Sequence, residues 1–198
     1  MKYFPLISSV ILALGMASVP TLPLQAGSTT HTTQETALDL AGKPVNPLKD
    51  SSGKVVVLIF VRTDCPVSNR YAPTIQRLSA EHTGDSAFWL VYPSKDESAE
   101  EIREHDREYG YKIPAVRDPQ KILVRESHAQ ITPEAAVFNA KGELVYHGRI
   151  DNLYVDIGRA RTIATTHELE GAIRAALSGK HFAPRDSHAV GCYIADLE

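Results

Sequence analysis

Arg62-Thr63-Asp64-Cys65-Pro66-Val67-Ser68-Asn69-Arg70-Tyr71-Ala72-Pro73 follows directly on the apolar run Val55-Val56-Val57-Leu58-Ile59-Phe60-Val61. That run is apolar at every position and rich in β-branched residues, the pattern of a central strand covered on both faces. Beyond Cys65, the residues Val67, Tyr71, Ile75 and Leu78 recur at intervals of four, four and three, which is one face of a helix. Pro73 lies inside that helix and is expected to kink it. Cys65 is therefore expected where a buried strand ends and a helix begins. A helix N-terminus presents free backbone N–H groups and a partial positive charge, and both favour thiolate over thiol. The residues alone leave three readings of Cys65 open: a redox centre, a metal ligand or a packed small side chain.

The flanking segments supply the rest of an α/β fold. Ala37-Leu38-Asp39-Leu40 alternates weakly and leads into the turn at Gly42-Lys43, and a second turn lies at Asp50 to Lys54. Ala87 to Tyr92 reads as a second buried strand, broken by Pro93-Ser94. Ser98 to Tyr109 reads as a charged helix with Ala99, Ile102 and Tyr109 inward. Ile113-Pro114-Ala115-Val116 reads as a short edge strand, because proline lacks the N–H a central strand needs. Gln120 to His128 is expected to be a short helix. Ala135 to Phe138 and Leu144 to Tyr146 flank Asn139-Ala140-Lys141-Gly142 as a hairpin. Thr165 and Glu168 have capping-box spacing ahead of a helix with Leu169, Ala172, Ile173, Ala176 and Leu177 on its apolar face, ended by Gly179. The order implies a mixed central sheet, parallel in its first half and antiparallel in its second, with helices on both faces.

The 198-residue chain is long enough for a real core, and its 43% apolar and 23% charged residues are ordinary for a globular protein. The net charge of −3 gives no reason to expect nucleic-acid binding. Residues 1–26 read as a signal peptide: Lys2 is the positive region, Leu6 to Val19 the apolar region, and Ala26 the small residue at the cut. The protein is thus expected to be secreted or periplasmic, with no membrane contact after cleavage. No cysteine lies near the junction, which excludes a bacterial lipoprotein anchor. Residues 27–36 are expected to be a mobile segment, 37–179 the domain, and 180–198 a tail carrying Cys192. Cys65 and Cys192 are the two cysteines of the chain. A single pair in an exported protein of this length points to redox or metal chemistry, or is incidental, rather than a scaffold requirement.

Four features resemble the thioredoxin superfamily, and within it the secreted redoxins of the alkyl hydroperoxide reductase and thiol-specific antioxidant branch. They are Leu38-Asp39-Leu40-Ala41-Gly42-Lys43-Pro44-Val45, Gly53-Lys54-Val55-Val56-Val57-Leu58, Cys65-x-x-Ser68-x-x-x-Ala72-Pro73, and Thr132-Pro133 followed by Phe138 and Lys141-Gly142-Glu143. Together they cover roughly residues 37–150, and their joint match is specific. The resemblance implies a thioredoxin-like fold with an N-terminal β-hairpin and a C-terminal extension. It also implies a thiol-disulfide oxidoreductase in which Cys65 attacks. Ser68 takes the place of the resolving cysteine and is expected to donate a hydrogen bond to the Cys65 sulfur. Pro133 takes the place of the cis-proline, with the Thr132 backbone shaping the substrate groove. The expected partners are a protein or small-molecule thiol or disulfide and an external reductant.

The chain departs from the family pattern at several positions. The second motif cysteine is absent, and Cys192, within Ala189-Val190-Gly191-Cys192-Tyr193-Ile194, is its natural distal replacement. Ile59 stands where thioredoxin keeps a buried acid, and Asp64 replaces the aromatic before the cysteine. Arg62 and Leu58 stand where a peroxiredoxin would have its threonine or serine and its proline. A thiol peroxidase remains an alternative, with Arg62 or Arg70 stabilising the thiolate. A copper or zinc chaperone of the Sco type is another, with Cys65, Cys192, His188 and His167 as ligands. His31, His82 and His105 read as surface residues, and His128 and His147 as hydrogen-bonded structural groups. Arg149, Asp151, Arg159 and Arg161 read as a surface charge cluster, and Tyr71, Tyr154 and Tyr193 as packing residues. No organic cofactor is implied, because the sequence has no glycine-rich dinucleotide motif.

Overall fold

A computed structural model of the chain describes residues 36–51 and 53–195, together with Met1 and Tyr3. The expected signal peptide apart from Met1 and Tyr3, and all of the 27–36 segment except Thr36, His31 included, lie outside these residues. The chain divides into two units, Met1–Thr33 and Gln34–Glu198, and the fold belongs to the second.

Strands β1 (Ala37–Asp39) and β2 (Pro44–Val45) form the leading hairpin, followed by the short helix α1 (Pro47–Asp50). Strand β3 (Val55–Phe60), helix α2 (Pro66–Glu81), strand β4 (Ser86–Tyr92), helix α3 (Ala99–Glu108) and strand β5 (Ala115–Arg117) form two consecutive parallel crossovers. Helix α4 (Ile122–Ser127) leads to the two-residue β6 (Ile131–Thr132) and to the antiparallel hairpin of β7 (Glu134–Phe138) and β8 (Leu144–Gly148). A small hairpin, β9 (Tyr154–Asp156) with β10 (Arg159–Ala160), precedes helix α5 (Glu168–Leu177), and β11 (Cys192–Tyr193) lies in the tail. The main sheet has seven strands in the order β2-β1-β5-β4-β3-β7-β8.

The β3 run is central, as its composition requires, and every residue in it is buried. Alternate side chains serve opposite faces. Val55, Val57 and Ile59 pack with Tyr71, Ile75 and Leu78 of α2, Ile102 of α3, and Leu169 and Ile173 of α5. Val56, Leu58 and Phe60 pack with Leu123 and Val124 of α4, Ala136 and the tail residue Ile194. Fully burying each of these side chains contributes roughly 1.5–3 kcal/mol, so β3 anchors both layers. Because β3 is rigid, the chain leaves its end at a fixed point, and Cys65 follows there.

Three local expectations change. The 113–116 segment is not at an edge: β5 lies between β1 and β4. Pro114 precedes the ladder and takes part only through its carbonyl, which accepts from Leu90 N at 2.9 Å, so its missing N–H costs nothing. Thr165 and Glu168 form no capping box. His167 is the N-cap residue, and Glu168 instead accepts from Arg149 at 2.7 Å and from the Thr166 hydroxyl. His105 is buried rather than on the surface. Its ring is enclosed by Tyr92, Tyr109 and Tyr111, which a charged helix sequence conceals.

The 180–198 tail crosses the domain. Phe182 stacks edge-on against Tyr146. Ser187 accepts from Arg149 N at 2.9 Å and lies so near Gly148 that a Cβ there would fall 2.4 Å from the Ser187 carbonyl oxygen. The tail then turns back along β6, with Cys192 opposite Thr132 and Tyr193 opposite Ile131 in antiparallel register.

Candidate active site

Cys65 is the N-cap residue of α2, in extended conformation, with Pro66 at the first helical position. Proline fits there because that residue's N–H has no intrahelical partner in any case. The Cys65 side chain is fully buried. Its Sγ lies 3.1 Å from the Thr132 carbonyl oxygen, immediately before the cis Thr132–Pro133 bond. The Cys192 thiol donates to Cys65 Sγ at 2.8 Å, and both cysteines are free. The Thr132 hydroxyl donates to the Cys192 carbonyl at 3.3 Å, and Ile194 N donates to the Gln130 carbonyl at 2.9 Å. Cys65, Ser68, Thr132, Pro133 and Cys192 therefore come together from three parts of the chain.

The two thiols are not equivalent. Burial alone would raise the Cys65 pKa, but hydrogen bonds from Cys192, from the Ser68 side chain and backbone, and from Thr132 outweigh it and bring it below its ordinary value. Ser68 is fully buried and its hydroxyl makes no regular hydrogen bond, so it is free to turn towards the sulfur. The thiol form of Cys65 donates to the Thr132 carbonyl. Ionisation gives up that one bond and strengthens the others, which become charge-assisted. Cys192 moves the opposite way: burial and its bond to Cys65 push it up to about 11. Of the two thiols, Cys65 is therefore the one that ionises first, and Cys192 the one that keeps its proton longer.

Arg62 lies on the rim. One arm of its guanidinium bonds Asp64 at 2.8 Å, and its charge acts on Cys192, lowering the pKa slightly against the larger effects. Arg70 is exposed. The Arg149 cluster is partly internal: Arg149 bridges Glu168 and Asp186, while buried Asp151 accepts the Tyr71 hydroxyl at 2.6 Å. Among the described residues, no group of three His, Cys, Asp or Glu side chains is arranged to hold a metal ion. His188 lines a hollow with His128 and His147, and His167 lines another with Phe182, so neither histidine joins the sulfur pair.

Two supports of the Cys65 loop carried no motif. Buried Glu97 accepts from both Thr63 N at 2.7 Å and the Thr63 hydroxyl at 2.8 Å, and burial raises its pKa against those bonds. Asn69 donates through Nδ2 to the Thr63 carbonyl at 3.0 Å, which leaves its Oδ1 to accept from His105 Nε2 at 2.8 Å. His105 Nδ1 lies 2.8 Å from the Tyr92 hydroxyl oxygen. Burial lowers the His105 pKa and keeps the ring neutral near pH 7. The loop before Cys65 is thus clamped to α3 and to the β4–α3 connection. The proximity of Asn69 to Cys65 was visible in the sequence, but its partner was not.

The redoxin family model matches residues 25–156. No curated protein matches. Among solved structures, an uncharacterized conserved protein from Geobacillus kaustophilus aligns with TM-score 0.68 at 21% identity, covering 80% of this chain and 86% of its own. A hypothetical protein from Sinorhizobium meliloti 1021 aligns with TM-score 0.66 at 20% identity, over 80% and 88%. A secreted Mycobacterium tuberculosis disulfide oxidoreductase aligns with TM-score 0.53 at 20% identity, over 71% and 94%. At these identities the solved structures speak for the fold, a thioredoxin-like α/β sheet, and the family match speaks for descent: the chain belongs to the redoxin family of the thioredoxin-like superfamily.

Proposed function

We propose that this protein is an exported thiol-disulfide oxidoreductase in which Cys65 is the nucleophile and Cys192 the resolving cysteine. The observation that carries the reading is the 2.8 Å approach of a proton-bearing Cys192 to a Cys65 held towards thiolate. Export is supported by the leader pattern in residues 1–26, and the M. tuberculosis neighbour is itself described as secreted.

Turnover begins with release of the tail, because Cys65 is fully buried beneath it. Ile194 contributes roughly 1.5–3 kcal/mol to docking, and each tail hydrogen bond about 1 kcal/mol. The open form is therefore a minor but populated state. The Cys65 thiolate attacks one sulfur of a substrate disulfide, forming a mixed disulfide and expelling the other sulfur as a thiolate. The tail returns, Cys192 gives its proton to solvent and attacks Cys65 Sγ, and the second substrate thiolate leaves. The substrate gains two electrons and the cysteine pair loses two. An external dithiol returns the pair to its reduced form, and the same steps in reverse oxidise a dithiol substrate. Ser68 donates to the Cys65 thiolate, and Thr132 and Pro133 form the wall against which the substrate lies.

The test is mass spectrometry of the reduced full chain after exposure to a small-molecule disulfide. Loss of two hydrogen atoms, mapped to a Cys65–Cys192 bond, is expected. Cys192→Ser stops at the mixed disulfide, and Cys65→Ser does not react. An unreacted wild-type chain, or a Cys65→Ser variant that still reduces substrate, overturns the reading. Hydrogen peroxide in place of the disulfide tests the peroxidase alternative, which requires Cys65 to oxidise far faster than an ordinary thiol.

A further inference from the structure

The tail does more than deliver a thiol. It lies along β6 as a strand, and its course there is fixed by contacts that leave no room at one position. A Cβ on Gly191 would fall 2.0 Å from the Thr132 carbonyl oxygen, 2.7 Å from the Thr132 carbonyl carbon and 3.1 Å from Ile131 Cγ2. Two of those three atoms are backbone, so no change of rotamer relieves the overlap. The β6 backbone is itself held in place. Buried Glu134 accepts from Gln130 N at 2.8 Å and from Ile131 N at 3.1 Å, which ties the amides of the segment. The carbonyls of Gln130 and Thr132 face the tail and the Cys65 sulfur.

Any chain that places its sulfur on Cys65 Sγ while pairing with β6 in this register meets the same wall one residue before its cysteine. We propose that the β6 groove takes an extended polypeptide in which glycine immediately precedes the reacting cysteine, and that Gly191-Cys192 is the resident competitor for that groove. This rests on the assignment of Cys65 as the nucleophile. The occupant is a peptide disulfide, because the tail's main recognition is by backbone: the Cys192–Thr132 and Tyr193–Ile131 pairs and the Ile194 amide. Tyr193 is exposed, so the residue after the cysteine is read weakly, whereas Ile194 is buried and marks an apolar subsite two residues beyond. The reaction with such a peptide is thiol exchange: the Cys65 thiolate forms a bond to the peptide sulfur and the bond between that sulfur and its leaving thiolate breaks.

The experiment uses the full chain carrying Cys192→Ser, so that the mixed disulfide accumulates. The probes are a peptide copying residues 189–194 and the same peptide with alanine or leucine for its glycine, each activated as a disulfide with an aromatic thiol. The glycine peptide is expected to react at least tenfold faster than either. Equal rates for the three, with a simple aromatic disulfide also reacting, overturn the glycine requirement and leave Cys65 as nucleophile. Failure of every disulfide to react removes that assignment and this one with it. In an otherwise unaltered chain, Gly191→Ala is expected to free the tail and speed alkylation of Cys65, measured on its high-pH plateau, at least tenfold. An unchanged rate would show that the tail does not depend on the close approach and would overturn the proposal.

Discussion

Replacing Cys192 tests whether its thiol holds Cys65 towards thiolate. Cys192→Ala removes a donor 2.8 Å from the Cys65 sulfur and leaves Cys65 as the single cysteine. Cys192→Ser keeps a donor at the same place. A hydrogen bond to a charged group contributes about 1.5–3 kcal/mol. Because S–H is a weak donor, the lower end applies to the native thiol and is a floor for the serine hydroxyl, and about 1.4 kcal/mol is a factor of ten in an equilibrium. At a fixed pH below its midpoint, the alanine variant should therefore hold about tenfold less thiolate than the serine variant. Thiolate ultraviolet absorbance reads this at equilibrium, independent of how easily a reagent reaches the site, and with one cysteine present the signal is unambiguous. The alanine midpoint should lie above the serine midpoint. If the two titrate together, or alanine titrates lower, the Cys192 donor is not what favours the thiolate, and the Ser68 and α2 N-terminal contributions must carry it alone.

Ser68→Ala should raise the Cys65 midpoint while leaving urea stability nearly unchanged, since the buried hydroxyl makes no regular hydrogen bond to lose; an unmoved titration would remove Ser68 from the site. Tyr71→Phe should cost about 1–3 kcal/mol in urea unfolding, because it takes the 2.6 Å donor from the buried Asp151 carboxylate, and wild-type stability would contradict that. The His105 ring has its pKa lowered by burial, so the unfolded chain binds the extra proton. The stability this gives is complete above the unfolded value of about 6.5 and is lost as pH falls through the window below it. Relative to His105→Gln, the wild-type protein should lose stability across that window, and parallel pH profiles would show that the ring is not the group responsible.

The parts of the fold that were legible are those where one physical requirement dominates the residue choice. β3 had to be apolar on both faces, and α2 had to repeat its apolar residues at helical spacing. The β7–β8 hairpin needed its Asn139 to Gly142 turn. Cys65, Ser68 and the Thr132–Pro133 pair were legible for the same reason: they sit at fixed distances from those elements. The tail was legible only in part: the apolar patch 189–194 marked Cys192 as a distal partner, but its strand pairing was hidden, because β11 is two residues long and docks by backbone, which leaves no periodicity to read. Gly191 carried a signal in retrospect, a glycine directly before a cysteine in an apolar patch, but glycine alone does not say what approaches it. Glu97 and His105 were hidden by neighbours: each lies in a polar stretch that reads as solvated until Thr63, Asn69 and Tyr92 are brought against it.

If Cys192 resolves as proposed, a resolving thiol on the tail rather than at position 68 changes the order in which a reaction can run. In a Cys-x-x-Cys site, both thiols lie on one helix turn, and the resolver is present whatever occupies the groove. Here Cys192 reaches Cys65 only while its own strand pairs with β6. A peptide bound as proposed uses the same pairing edge, so the tail cannot return until the peptide backbone has peeled away, even though the mixed disulfide still tethers the peptide by its sulfur. Resolution then requires strand displacement before thiol exchange. The tail is part of the same chain and competes at an effective concentration on the order of millimolar. Free peptides below that concentration lose to it, whereas a peptide tethered by the mixed disulfide competes on similar terms until thiol exchange releases it. A weakly paired substrate is therefore resolved quickly and a tightly paired one slowly, whereas a helix-borne resolver would act at a rate independent of pairing. Turnover measured against peptide affinity would show that dependence or its absence.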